Sequence, residues 1–265
     1  MKPLSHDRIA RALAGIEFVH RIEYRQRVGS TNDLARQLGV GGAPEATLVI
    51  ADEQIAGRGR MGRAWWSPPG AAIAMSLLLR PTFPPAFANR LTMLAGLSAA
   101  QAIEQVTGLP VALKWPNDVV VKEPAIRKLG GILTEASISG ETIEFSVVGL
   151  GLNVNVDFTG RTDLPEASSL AREIGHPVDR LALLRALVEQ FAARYVTIAQ
   201  DEQLLADWSA RLITLGRQVV ARRGEETLAG LAEGVDESGA LLIRTVDRSL
   251  RRVDAGDVTL RDSRP

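Results

Sequence analysis

The stretch GRGRMGRAWWSPPG, residues 57–70, packs three arginines, four glycines and two of the chain's four tryptophans into fourteen positions. Guanidinium groups grip oxyanions in bidentate fashion and glycines let the backbone wrap around one, so this mixture reads as an anion cradle. A solvated linker and an RGG-type binder of single-stranded RNA are the other readings. Paired tryptophans would expose a large apolar surface on a linker. A single copy in a chain of zero net charge is poor footing for RNA. Gly57, Gly59 and Gly62 satisfy G-x-G-x-x-G, but Pro68 and Pro69 stop any helix that would follow, which argues against a dinucleotide-binding turn. A Walker loop is excluded as well, because Arg63-Ala64 stands where Lys-Ser/Thr is required.

Further along, strand alternation sorts side chains by face. In VALKW, Val111, Leu113 and Trp115 share one face and leave Lys114 on the other, where a solvated lysine is the plain alternative. In KLGGI, strict alternation puts Lys128 with Gly130. In GLGLN, Gly149, Gly151 and Asn153 share a face, giving a shallow trough with a polar end. Tight packing under a helix would also use those glycines, but a buried Asn153 needs partners, which a nucleotide could supply. WPND after Lys114 is a turn that sets a cation, an amide (Asn117) and a carboxylate (Asp118) at one strand end.

These groups need elements to hold them. SHDRIARALAGI reads as a short helix with Ser5 as its cap, followed by a strand. GSTNDLARQLG reads as a helix with Ser30 capping free amides, Asp33 in the first turn and Gly39 as the stop; such an N-terminus attracts anions. ATLVIADEQ and AAIAMSLLLRP are strands entering and leaving the arginine loop. A long helix over roughly residues 86–107 precedes three strands, VALKW, KLGGILTEASI and TIEFSVVGLGLNVN, the last two joined at Ser139-Gly140. Two amphipathic helices follow, DRLALLRALVEQFAARYVTIA and DEQLLADWSARLI. From about Leu215, short strands broken by RRGEE, DESG, VDRS and DAGD have the pattern of a small barrel leaning on the larger unit. The expected division is residues 1–214 and 215–265.

Composition narrows the classes. Lys+Arg and Asp+Glu both total 31, so no overall field draws the chain to nucleic acid or an anionic membrane. With no cysteine there are no disulfides, thiolate-zinc sites or protein thioesters. The N-terminus lacks the apolar core of a signal peptide and no segment has the length of a membrane span, so a cytoplasmic location is expected. His6, His20 and His176 are scattered and carry no assigned role.

Taken together, GSTN, GRGRMGRAWWSPPG, KWPNDVVV, RKLGGIL and GLGLNVN, in this order, resemble the biotin protein ligases over roughly residues 25–260. The resemblance implies an α+β fold, a mixed β-sheet flanked by helices of the class II aminoacyl-tRNA synthetase/biotin ligase kind, with a small SH3-like β-barrel at the C-terminus. It implies that biotin and MgATP form biotinyl-5′-adenylate, and that a lysine of a biotin carboxyl carrier protein or domain then takes the biotinyl group. Only about 25 residues precede the match, too few for the family's helix-turn-helix, so a monofunctional ligase without operator binding is expected.

Carried over by motif, Ser30, Thr31, Asn32 and Gln54 serve the biotin head, with Gly57, Arg58, Gly59 and Arg60 over its carboxylate and Gly131 beside them. Lys128 stands between carboxylate and α-phosphate. Arg63, Trp65, Asn117 and Asn153 serve the nucleotide and Lys114 its phosphates. Lys128, Arg60 and Lys114 are the catalytic candidates. For Asp118 three roles stay open: magnesium, a ribose contact, or deprotonation of the incoming lysine; the metal ligands are otherwise unassigned. Members of the family dimerise through a sheet edge, and no edge is singled out in this sequence. A lipoate or octanoyl ligase is the nearest rival; a nicotinamide-dependent oxidoreductase and a non-enzymatic binding module built on the C-terminal barrel are the more distant ones.

Overall fold

A computed structural model describes residues 3–260. Seven strands form one sheet: β1 (Arg21–Val28), β2 (Thr47–Gln54), β3 (Ile73–Leu79), β4 (Ala112–Lys114), β5 (Asp118–Val121), β6 (Arg127–Ser139) and β7 (Thr142–Leu152), in the order β1-β2-β3-β7-β6-β5-β4. β1 and β2 run parallel because a helix, α2 (Thr31–Val40), carries the chain back between them, and every other pairing is antiparallel. One face is buried by α1 (His6–Ala12), α3 (Asn89–Thr107), α5 (Arg180–Tyr195) and α6 (Gln203–Ala210), with the short α4 (Leu170–Ile174) at its margin. On the other face α2 packs Ala35, Leu34 and Leu38 against Val49, Leu78, Phe145 and Val147. The expected mixed sheet flanked by helices is what the chain forms.

A second, wholly antiparallel sheet comprises β8 (Gln218–Arg223), β9 (Glu226–Val235), β10 (Leu241–Arg244), β11 (Leu250–Val253) and β12 (Asp257–Leu260), ordered β11-β10-β9-β8-β12. Its turns fall at RRGEE, DESG, VDRS and DAGD as the sequence predicts. The connection from α6 also pairs with the first sheet. Leu113 and Leu212 form a parallel bridge, with Leu113 N–H donating to Arg211 O and Ile213 N–H to Leu113 O.

Four local expectations are corrected. Ser5 caps α1 by accepting from Arg8 N–H, but Ser30, at the N-cap of α2, makes no such bond. Gln54 of β2 does the work instead, its Oε1 accepting from Thr31 N–H at 2.8 Å and Thr31 Oγ1 at 3.0 Å. Gly39 does not stop α2; it lies inside the helix, where an added Cβ would stand 2.8 Å from the Phe145 ring. The Val-rich run after WPND forms β5, a strand of its own, because its valines are buried.

The fourth correction concerns Lys128 and Gly130. β5 and β6 pair Val119 with Gly130 but Val120 with Lys128, so Leu129 is an extra residue. Such a bulge breaks alternation. Lys128 therefore shares a face with Gly131, while Gly130 turns toward Leu152 and the Gly151 carbonyl. A Cβ on Gly130 would stand 2.7 Å from Gly151 O, a backbone atom with little room to yield. Gly130→Ala is accordingly expected to lower stability by about 1–3 kcal/mol; a denaturant midpoint equal to that of the wild type would show that the strands part at no cost.

Candidate active site

The register of the large sheet lines up one row of residues on the face that carries α2: Ala51, Ala74, Gly151, Gly131, Asp118 and Lys114, each the Cα partner of the next. Four positions without bulk run into a carboxylate and an ammonium. The neighbouring row reads Val49, Ser76, Gly149 and Leu133. Beyond the N-terminus of α2 this face is bare of helix, and a cavity of about 460 Å³ opens over it, a volume suited to small-molecule ligands.

Ser30, Thr31, Asn32, Gln54, Arg58, Gly59, Arg60, Arg63, Trp65, Lys114, Asn117, Asp118, Lys128, Gly131 and Asn153 all line that cavity. Gly57 does not. It is buried in a hairpin formed by the arginine loop, its carbonyl accepting from Trp65 N–H at 2.8 Å, and a Cβ there would meet Trp65 O at 2.5 Å. Gly59 N–H to Arg63 O and Gln54 N–H to Ser67 O complete the hairpin.

Opposite charges accompany the cations. Lys128 Nζ lies 2.5 Å from Asp118 Oδ1 and 5.7 Å from the centre of the Trp65 ring. Arg58 bridges Asp33 at 2.6 Å and Glu135 at 3.4 Å, and the Asp33 hydrogen bond holds its guanidinium above the ordinary arginine range. Arg63 pairs with Asp257 of β12. Arg60 makes no ion pair among the described residues and meets only Asn117 Oδ1, at 3.4 Å. Burial pushes its guanidinium down from the ordinary range, with Asp118 opposing and Arg63 adding to the shift.

The amides are fixed by backbone. Asn117 Nδ2 donates to Ile132 O at 2.6 Å and Ile132 N–H to Asn117 O at 3.0 Å. Asn153 N–H donates to Leu129 O, and Leu170 N–H to Asn153 O. The glycine trough is narrow for a definite reason. Asn32 lies directly over Gly149, and the Trp65 indole lies over Gly151, where a Cβ would approach it to 2.5 Å. The indole N–H is buried without a partner among the described residues, a donor suited to a ligand.

Three contributors escape sequence reasoning. Buried Ser76 reaches Thr31 Oγ1 and Asn32 Oδ1 at 2.8 and 2.7 Å; one hydroxyl among the apolar residues of β3 was the available signal. The segment after β7 brings Phe158 and Asp163–Ala167 to the wall, and Trp66 rests between Phe158 and Arg161, whose guanidinium sits 4.1 Å from its ring centre. Asp257, Val258 and Thr259 arrive from the second sheet, which no local pattern places there. Among the described residues there is no group of three or more His, Cys, Asp or Glu able to hold a metal.

Residues 24–153 match the biotin/lipoate A/B protein ligase family and residues 214–261 the biotin protein ligase C terminal domain. A biotin--[acetyl-CoA-carboxylase] ligase of Paracoccus denitrificans is 37% identical over 82% of this chain and 92% of its own length. The bifunctional ligase/repressor BirA of Bacillus subtilis is 33% identical over 89% of this chain and 73% of its own. The structure of an Aquifex aeolicus biotin protein ligase in complex with biotin and ATP superposes with a TM-score of 0.75 at 28% identity, covering 92% of this chain and all of that one.

The strand bearing Lys128 is pinned from the side. Lys128 N–H donates to Glu166 O and Ser168 N–H to Lys128 O, while Arg127 and Ser168 both bond the buried Glu173 carboxylate, Arg127 Nη2 at 2.5 Å. The Arg127 bond is the chief cause that holds Glu173 below the usual glutamate range. A carboxyl depressed on folding stabilises the fold above its unfolded pKa and loses that contribution as pH falls through the folded one. Glu173→Gln should therefore cost about 1–2 kcal/mol at neutral pH, and the deficit should shrink as pH drops below the ordinary glutamate range. Denaturant midpoints of both proteins across pH 3–7 test this; a deficit constant with pH would contradict it.

Proposed function

We infer the chemistry of the cavity from the family to which this chain belongs, the biotin protein ligases. The protein is an ATP-dependent ligase that activates biotin and acts on biotin carboxyl carrier proteins. The observation that carries the assignment of roles is the convergence of Arg60, Arg63, Lys114 and Lys128, from three separate segments, on one cavity floored by small residues.

In the first step a biotin carboxylate oxygen attacks the α-phosphorus of ATP; the new O–P bond replaces the bond to pyrophosphate, which leaves. Both reactants are anions, so the barrier falls where fixed positive charge meets the charge that develops between them. We assign Lys128 to that point, its ammonium aimed by Asp118, with Arg60 and the Gly59 backbone on the carboxylate side and Lys114 and Arg63 on the phosphate side. Arg58, held by Asp33 and Glu135, clasps the loop to α2 and β6. Thr31, Asn32, Gln54 and Ser76 form a connected set of donors and acceptors suited to a ureido head, closed by Ser30 and Gly131. Trp65, Asn117 and Asn153 serve the nucleotide. In the second step the carrier lysine's amine attacks the acyl carbonyl, AMP leaves, and the amine loses a proton.

Magnesium fits this donor set. Among the described residues the cavity has no protein cage for a metal, but Asp118 stands beside the end assigned to the phosphates, and Mg²⁺ is commonly held by one or two carboxylates, substrate phosphates and water. Bound with the triphosphate, it would neutralise charge there.

We place the ligase unit at residues 1–214 and the small C-terminal unit at 215–265, in a cytoplasmic protein that needs no nucleic acid. No helix among the described residues is long and apolar enough to cross a membrane. A homodimer through a sheet edge stays within this proposal.

Mixing the protein with MgATP, biotin and a biotin carboxyl carrier domain should yield AMP, pyrophosphate and a biotinylated lysine, whereas lipoate in place of biotin should yield none of these. Lys128→Ala should slow adenylate formation by roughly 10²–10³-fold, the scale for losing one preorganised charge-stabilising donor. An unchanged single-turnover rate would remove Lys128 from the role given to it.

A further inference from the structure

Trp115 stands in the middle of the segment that carries Lys114, Asn117 and Asp118, yet its own side chain is buried and takes its partner from the other sheet. Its indole Nε1–H donates to Gly239 O at 2.9 Å, and its backbone N–H donates to Thr214 Oγ1 at 2.9 Å. Thr214 is fully buried in the connection that leads into β8. One polar hydrogen of this residue is thus held by the connection into the C-terminal sheet and the other by a turn of that sheet.

The acceptor is itself rigidly built. Gly239 has a φ of +81° in the β9–β10 turn, a conformation that favours glycine, and an added Cβ would collide with Met93 of α3. Asp236 organises the turn: its Oδ1 accepts from Ser238 N–H, Ser238 Oγ and Ala240 N–H at 2.9, 2.7 and 3.0 Å, and its Oδ2 meets Arg252 at 2.5 Å. Asn89, the first residue of α3, donates to Ser238 O at 3.2 Å. On the far side of Trp115, Asn117 is bonded to Ile132 of β6, and Asp118 to Lys128.

We propose that Trp115 is a positioning residue through which the C-terminal sheet sets the Lys114–Asp118 turn for the nucleotide, so that the DESG turn, residues 236–239, acts on ATP use from outside the cavity. The inference rests on the ligase reading above. The set that faces the ureido head, Thr31, Asn32, Gln54 and Ser76, is built on α2, β2 and β3 and lies outside this line of contacts, which meets the carboxylate side only where Arg60 bonds Asn117 and Gly131 pairs with Asp118.

Two substitutions cut the line at different points. Trp115→Phe keeps a ring in the core and removes the Nε1 donor; Asp236→Ala loosens the turn without touching the cavity. Trp115→Phe should raise the KM for ATP roughly tenfold, the weight of one buried hydrogen bond. Asp236→Ala should move it in the same direction, and the biotin Kd measured without nucleotide should stay within about twofold in both, the difference expected when no contact of that ligand is lost. Because both changes break one path, the double variant should lose little more than Trp115→Phe alone. Equal losses of biotin and ATP affinity, additive losses in the double variant, or an unchanged ATP KM would overturn the proposal. If Trp115→Phe does not fold, Asp236→Ala decides by the same ATP-against-biotin comparison. Wild-type protein is assayed alongside: no adenylate from it would sink the ligase reading, whereas an active wild type with unaffected variants would sink this inference alone.

Discussion

Like charges gathered in one cavity repel one another, and every other feature of this site answers to that constraint. The protein supplies its own counter-charges: Asp118 for Lys128, Asp257 for Arg63, and Asp33 with Glu135 for Arg58. Arg60 and Lys114 have no such partner among the described residues. Each pair is partly exposed and so contributes little to stability, which would let Arg63 exchange Asp257 for an oxyanion while Asp118 keeps its hold on Lys128. A site built from fully buried pairs would resist that exchange, since separating them leaves uncompensated charge. Among the described residues one ion pair has both side chains deeply buried: Asp52 with Arg180 at 2.8 Å, which ties the end of β2 to the start of α5.

The room in the cavity comes from what the sheet leaves out. Across the row from Ala51 to Lys114, two alanines and two glycines take side-chain bulk away from the floor until Asp118 and Lys114 restore it as charge. The bulge at Leu129 is what joins the two halves of this design. By strict alternation Lys128 would share its face with Gly130. The extra residue sends Leu129 and Gly130 to the core side and leaves Lys128 beside Gly131 and Asp118.

Much of this was legible in the sequence because the signals are short-ranged. Strand alternation isolated Lys114 from Val111, Leu113 and Trp115, and placed Gly149 and Gly151 together, since register within one strand depends only on neighbours. The arginine loop announced itself by composition. What could not be read depends on pairing between distant strands. An inserted residue at Leu129 has meaning only against β5; Gln54 can cap α2 only because β2 ends beside it; and Gly57 looks like part of the cradle until the hairpin shows it closing on Trp65. The glycine at position 39 misled for the same reason, its role being set by Phe145, over a hundred residues away.

The second sheet illustrates the limit most fully. A domain of about 50 residues buries too little surface to be more than marginally stable alone, so its attachment must matter to both partners. Here the attachment runs through the site. The connection at Leu212 extends the β4 edge, Trp115 is gripped by Thr214 and Gly239, and β12 supplies Asp257, Val258 and Thr259 to the cavity wall. A mixed anhydride between a carboxylate and AMP survives only where water is kept from it. One open sheet face cannot enclose such a product, because it leaves solvent on the side opposite the floor. The arginine loop, the segment around Phe158 and the last strand of the small sheet approach that side from three directions, so on the proposed function the fold of the whole chain, rather than any one motif, would shelter the intermediate.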